Sequence, residues 1–412
     1  MVFVPYEKFE NIEPIGEGGF SKIYKATWTD SKISDRGTLD YTLRSKPKTV
    51  ALKKLNNSKN VTSKELNELK MFYHYSLMET NISNIYSTIN VYYGITQDPV
   101  TQDIIFIMPY YNSDLAHYIT KDFFNIDWQY KMFNLKDIIY GLAKIHDVNI
   151  IHRDLHSGNI LLAKVNYYSK NVEAKICDLG TSKSATENDD NNDNEEDNIY
   201  GIIPYVAPEV LQGKKYTKAS DIYSFGMIMW ELMVGRRPFW NRNHNTELII
   251  EICDGLRPPI ITNAPEGYID LMKECWHFDP EKRPTPDEVK RKIFNIRYNG
   301  MPKIIESSDI GPVTTNNPDA IYKSRYLSGM IKSAASTRSL RSQSISTSEL
   351  DQHQKNSNDK RKFEDNQFES NFTNGTSNKK IKPIEDENND YATKELELDI
   401  DMNPKQISDD GT

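Results

Sequence analysis

The 412-residue chain reads as an α+β protein: a small sheet-rich lobe, then a larger helical one, then a disordered tail. Three observations predict this. Short β-like runs come early, at Thr49–Leu55 and Ile104–Met108. Helical periodicity dominates later, where Leu135, Ile138, Ile139, Leu142 and Ile145 share one face and a highly apolar stretch runs from Asp221 to Met233. The composition then changes near residue 300. All five Trp and all three Cys precede that point, and Ser, Asn, Asp, Lys and Thr dominate beyond it. Such a segment buries too little apolar surface to offset its ordering entropy, so 299–412 is expected to be disordered. One helix interrupts the early strands. Leu66, Leu69, Phe72, Tyr73 and Leu77 recur at helical spacing over Thr62–Met78, with Thr62 and Glu65 placed for a capping box.

Charge and cysteine usage narrow the function classes. A net charge of −8 and a pI near 5.6 argue against nucleic acid as a partner, since phosphate backbones need a basic face. Three cysteines without metal or disulfide spacing fit a reducing compartment. The longest apolar stretch, around Tyr223 to Gly235, contains Glu231 and is shorter than a membrane span requires. The expectation is a cytoplasmic protein with no membrane or nucleic-acid partner. Nuclear import is the alternative, raised by the clusters Lys360-Arg361-Lys362 and Lys379-Lys380-Ile381-Lys382.

Five clusters, in chain order, meet the demands of handling a transferred phosphate, which are positioning and charge neutralisation. The first is Gly16-Glu17-Gly18-Gly19-Phe20-Ser21, where Gly16, Gly18 and Gly19 let backbone amides approach phosphate oxygens. The second is Val50-Ala51-Leu52-Lys53, a strand ending in a lysine suited to α- and β-phosphates. The third is Glu68 on the early helix, chosen over Glu65 as the partner of Lys53 because capping already explains Glu65. Taken singly, these three equally mark a Gly-rich turn, an exposed strand lysine and a solvated helix carboxylate.

The fourth cluster is far more specific. His152-Arg153-Asp154-Leu155-His156-Ser157-Gly158-Asn159 forms an H-R-D-x-x-x-x-N loop, with Asp154 to accept a hydroxyl proton and Asn159 to hold Mg²⁺. About twenty residues on, Asp178-Leu179-Gly180 closes a short apolar strand and offers a hard oxygen ligand for the same metal.

On these motifs, residues 6–298 resemble the eukaryotic protein kinase family, most closely its tyrosine-kinase-like group. The resemblance implies a two-lobed fold, with an N-lobe over about 6–108 and a C-lobe over about 112–298, and with ATP and Mg²⁺ in the cleft. It implies a protein substrate and a role in signal transduction. It also assigns Met108 as gatekeeper, Pro109 and Tyr110 as hinge, and Ile23, Ala51 and Leu161 as the groups around adenine. Glu209 of Ala207-Pro208-Glu209 is expected to pair with Arg283, and Asp221 to anchor the catalytic loop from below.

Departures from the family pattern bear on the acceptor. Ser21 replaces the third loop glycine and Leu179 the usual phenylalanine. His156 and Ile202 stand where serine/threonine kinases usually have Lys and Thr, yet the Trp that tyrosine kinases usually carry before A-P-E is missing too. Ser/Thr acceptors are expected, with Tyr or dual specificity as the alternative. Two rivals remain: a pseudokinase, and a scaffold whose tail carries the main function. Arg153 implies an activation-loop phosphate on Thr181, Ser182, Ser184, Thr186 or Tyr200, against a purely structural role. Glu187–Asp197, with seven acidic residues, is either a solvated insert or an attractor of basic substrates. Cys177, beside Asp178, is either a packing residue or a reactive thiol. In the tail, Ser333–Ser348 suits modification, and Glu395–Met402 alternates acid and apolar residues as a strand added to a partner protein's sheet would.

Overall fold

The computed structural model describes residues 2–19, 21–33, 44–59, 66–78, 88–164, 172–185, 198–260, 264–297 and 300–341. All belong to one compact unit, Met1–Asp351. The acidic insert, Thr62, Glu65, Phe20, Thr186 and the tail from residue 342 lie outside the described residues.

The N-terminal lobe is a six-stranded sheet of β1 (Val2–Phe3), β2 (Phe9–Glu17), β3 (Ser21–Ser31), β4 (Lys46–Leu55), β5 (Gly94–Gln97) and β6 (Ile104–Pro109), in the order β1-β5-β6-β4-β3-β2. Side chains on a strand alternate faces, and β4 uses both. Val50 and Leu52 pack with Trp28, Ile105 and Ile107 on one face. Ala51 packs with Phe106, Met108 and Tyr92 on the other. Lys53, two residues after Ala51, shares this second face and is buried. The register places Ile23 opposite Lys53 and Met108 opposite Ala51. The helix Asn67–Met78 covers that face, with Leu69 and Phe72 packed on it.

Four helices frame the second lobe: Trp128–Asp147, Lys218–Val234, Tyr268–Cys275 and Pro286–Ile296. The first holds the expected apolar face, with Leu135, Ile138, Ile139, Leu142 and Ile145 fully buried. Lys218–Val234 is buried on every side, as a helix apolar all round must be. It stops at Gly235, whose left-handed φ of 79° lets its N–H return to the Glu231 carbonyl. Around it, Arg283 forks onto both oxygens of Glu209 at 2.7 Å each, the pairing expected from the sequence. The short strands β7 (Ser113–Asp114), β9 (Ile160–Lys164) and β10 (Val172–Ile176) pair as a sheet under the cleft, and β8 (Ile150–Ile151) pairs with β11 (Lys183–Ser184).

The structure departs from the expected tail over residues 300–341. This stretch packs on the helical lobe, burying Ile310, Leu327, Ile331 and Ala334. It forms strand β13 (Arg325–Tyr326), antiparallel to β12 (Tyr200–Gly201), and then a helix over 328–341. The physical reason is spacing. Leu327, just before the helix, and Ile331 and Ala334 within it fall on one side, and so few apolar groups suffice when a formed core receives them.

Two stability outcomes follow. Replacing Arg283 by Met strands the buried Glu209 charge and is expected to cost about 3–5 kcal/mol in chemical denaturation. Lys131 is buried with its ammonium 3.7 Å from the centre of the Phe123 ring, and burial pushes it down to about 7. An unfolded lysine titrates near ~10.4, so between those values the unfolded chain holds the extra proton and stability rises with pH. Lys131→Met should be more stable at pH 7 and should lose that slope when denaturation is compared at pH 7 and pH 9.

Candidate active site

The two lobes meet at Lys53. Its Nζ lies 2.8 Å from Glu68 Oε2 and 2.8 Å from Asp178 Oδ1, joining β4, the Asn67–Met78 helix and the loop after β10. Burial alone would lower the ammonium, but the Asp178 and Glu68 carboxylates raise it above its ordinary value, so it is a firm cation. Burial likewise opposes ionisation of Asp178, yet Lys53 outweighs it and holds that carboxyl below its usual range. Glu68 takes a second hydrogen bond, from the Tyr92 hydroxyl.

Asp178 occupies a left-handed backbone conformation, φ 63°, which few non-glycine residues adopt. Neighbouring contacts hold it there. Gly180 N–H donates to Asp178 Oδ1 at 3.3 Å, and Leu179 is buried in the helical core. Asn67 donates its Nδ2 to the carbonyls of Gly180 (2.8 Å) and Ser182 (2.9 Å), tying the helix to this loop. Cys177 donates its thiol to the Asn159 carbonyl at 3.3 Å, and burial pushes it well above its usual range, which fits packing and not reactivity.

The H-R-D loop hangs on one buried carboxylate. Asp221 accepts the His152 amide at 2.8 Å, the Arg153 amide at 2.9 Å and His146 Nε2 at 2.8 Å. Arg153 is also left-handed, φ 71°, and its guanidinium stacks 4.8 Å from the Tyr216 ring. Asn159 spends its Nδ2 on the Asp154 carbonyl at 2.9 Å, which leaves its acceptor oxygen for a cation.

Asp154 faces the cleft, and burial pushes its carboxyl up to about 7. His156 Nε2 lies 3.9 Å from Asp154 Oδ2. Burial, then Arg237, takes the His156 ring down to about 3, so it is neutral, and its Nδ1 accepts the Gly158 N–H. This contact is therefore neither an ion pair nor a hydrogen bond. The carboxylate's partner is Ser324, whose Oγ donates to Asp154 Oδ2 at 2.6 Å.

The expected adenine surroundings are partly assembled. Ile23, Ala51, Met108 and Tyr110 share one apolar group, while Leu161 lies on β9 outside it, half-buried. Gly16 and Gly18 lie in the β2–β3 hairpin, where Gly18 N–H bonds the Ser21 carbonyl at 2.8 Å. Gly19 follows in the same turn, and a Cβ there would run into the Ser324 carbonyl.

With this geometry in hand, comparison with known proteins is decisive. Residues 9–293 match the family model described as protein tyrosine and serine/threonine kinase. The chain belongs to that family. It is 35% identical over 185 residues to a probable serine/threonine-protein kinase of Dictyostelium discoideum, covering 42% of this chain and 11% of that protein. Against the Dictyostelium probable serine/threonine-protein kinase pats1 the figures are 28% over 313 residues, 73% of this chain and 9% of the relative. A putative serine/threonine-protein kinase/receptor of Acanthamoeba polyphaga mimivirus is 28% identical over 302 residues, 71% of this chain and 16% of its own. This kinase-family chain thus spans about a tenth of the length of the first relatives. The family implies ATP as substrate and typically a divalent metal. Among the described residues, no helix is long and apolar enough to cross a membrane.

Sequence reasoning overlooked Asn67, Tyr92 and Ser324. Asn67 is one residue from Glu68, and nothing marks an asparagine there as a clamp. Tyr92 has no motif, and Ser324 lay in the presumed tail.

Asp221→Asn offers one acceptor oxygen where two now serve the loop amides, leaving one buried N–H against an amide. We expect a loss of about 1–3 kcal/mol in chemical denaturation relative to the wild type.

Proposed function

We propose that the protein transfers the γ-phosphoryl of ATP to Ser or Thr hydroxyls of proteins. The observation that carries this reading is the closed set of charges. Lys53 is held between Glu68 and Asp178, while Asp154 presents its carboxylate to an aliphatic hydroxyl. A short Ser side chain reaching Asp154 favours Ser/Thr over the longer Tyr.

In this reading Lys53, which carries three donors, keeps Glu68 and directs a donor to the α- and β-phosphates. Asp154 orients the acceptor hydroxyl and takes its proton. Gly16, Gly18 and Gly19 bring backbone over the phosphates, and Ile23, Ala51, Met108, Tyr110 and Leu161 surround adenine. Among the described residues no group of three or more His, Cys, Asp or Glu gathers as a dedicated metal cage. One carboxylate, Asp178, and one amide, Asn159, instead suit Mg²⁺, which usually takes its remaining ligands from phosphate and water. Held by Asp178 and Asn159, Mg²⁺ would supply neutralisation of the charge on the phosphates.

Cytoplasmic residence and a partner set limited to proteins and ATP complete the reading. The three cysteines are free, which fits a reducing compartment.

The test is transfer of labelled phosphate from ATP with Mg²⁺, followed by phospho-amino-acid analysis. Asp154→Asn is expected to lower kcat by about 10²–10⁴-fold with nucleotide affinity largely kept. Chelation of Mg²⁺ should abolish transfer and its return restore it. Equal rates from the wild type and Asp154→Asn would sink the assignment.

A further inference from the structure

The stretch 317–341 lies along the acceptor side of the cleft in a register set by at least four separate contacts. Strand β13 pairs with β12 of the activation segment, matching Arg325 to Gly201 and Tyr326 to Tyr200. Leu327 N–H extends the pairing to the Ile199 carbonyl at 2.8 Å, and Ile199 N–H returns to Ser328 Oγ at 3.0 Å. Upstream, Tyr322 donates its hydroxyl to the Pro238 carbonyl at 2.9 Å and lies with its ring 4.2 Å from the Arg237 guanidinium. Downstream, buried Leu327 and Ile331 anchor the helix over 328–341.

Between these anchors stands Ser324. Its hydroxyl donates to Asp154 Oδ2 at 2.6 Å, and its carbonyl lies against Gly19 of the phosphate-side hairpin. Lys323 approaches Glu17 of the same hairpin at 3.5 Å. The hydroxyl thus meets the general base, and its backbone meets the loop that would cover a triphosphate. A purely blocking strand needs no hydroxyl at that position. Strand addition fixes the backbone, and the side-chain anchors fix the register, so the acceptor oxygen is held and not merely nearby.

We propose that Ser324 is a phosphorylation site of this protein, modified within the same chain by its own active site. The proposal rests on the kinase reading above. The bond formed joins Ser324 Oγ to the γ-phosphorus of ATP, and the bond broken is that from the γ-phosphorus to the β–γ bridging oxygen. The hydroxyl proton passes to Asp154, and ADP departs with the electron pair. Once Asp154 has passed that proton to solvent, the product places a phosphate dianion beside a largely buried carboxylate. That repulsion expels the strand and opens the groove to other acceptors.

The experiment uses the full-length chain, freed of phosphate by a phosphatase that is then removed. Mg²⁺ and labelled ATP are added at a series of protein concentrations, with and without a generic basic protein substrate. Mass spectrometry follows Ser324. Support is phosphate on Ser324 appearing with a first-order rate constant that does not change over a hundredfold range of protein concentration. Tyr322→Ala retains the acceptor but loosens its register, and should slow that step by about tenfold or more. Phosphorylation at Ser324 whose rate constant rises in proportion to protein concentration would overturn the intramolecular route. Transfer to the generic substrate with Ser324 left unmodified would overturn the proposal and leave the kinase reading standing. Absence of transfer to any acceptor would overturn both.

Discussion

One ammonium lies between two carboxylates from opposite sides of the cleft. Lys53 belongs to the sheet, Glu68 to the helix that covers it, and Asp178 to the loop leaving the second lobe. Lys53 and Glu68 are buried while Asp178 is part-exposed, so the buried pair is tolerable only while the geometry holds, since loss of their contact strands a charge in poor solvent. The consequence reaches well beyond the three residues. The helix must lie close enough to present Glu68, which lets its neighbour Asn67 clamp the carbonyls of Gly180 and Ser182. Asp178 must accept a left-handed backbone to face Lys53, and burial of Leu179 fixes the turn behind it.

A buried carboxylate does for the H-R-D loop what Lys53 does for the cleft. Asp221 rises from a helix buried on all sides and receives two consecutive backbone amides. Consecutive amides converge on one carboxylate only if the chain turns sharply, and Arg153 adopts its positive φ at that turn. Asp154 is thereby aimed outward. Asp154 is thus held by a core helix through Asp221 and, within the loop, by Asn159 on its carbonyl.

The stretch 300–341 meets these devices at Asp154 and at Gly19. It is attached by apolar contacts at Ile310, Leu327 and Ile331, and by backbone pairing to β12. Charge adds little to that attachment, because Arg338 with Asp254 and Arg341 with Glu247 are exposed pairs. Side chain-to-backbone hydrogen bonds add to it, from Tyr322 to the Pro238 carbonyl, from Arg325 to the His244 carbonyl and from Arg236 to the Gly311 carbonyl. The segment so held seats Ser324 against Asp154 and Gly19.

The amino-acid sequence by itself determined which side chains the fold gathers at the candidate site. Lys53, Asp154, Asn159 and Asp178 were legible because phosphate handling demands particular functional groups at nearly invariant local spacing, and the helical periods of Trp128–Asp147 and Lys218–Val234 were legible because burial repeats every turn. Glu68 was legible for a weaker reason, as the carboxylate that capping did not explain. Tertiary structure alone decided what depends on distant partners: Asn67 and Tyr92 acquire their roles from residues far along the chain. The same holds for residues 300–341. Their polar composition predicts disorder because an isolated segment with so few apolar groups cannot offset its ordering entropy. Packed on a core already formed, Leu327, Ile331 and Ala334 contribute enough burial to order the stretch, and with it the serine that meets Asp154.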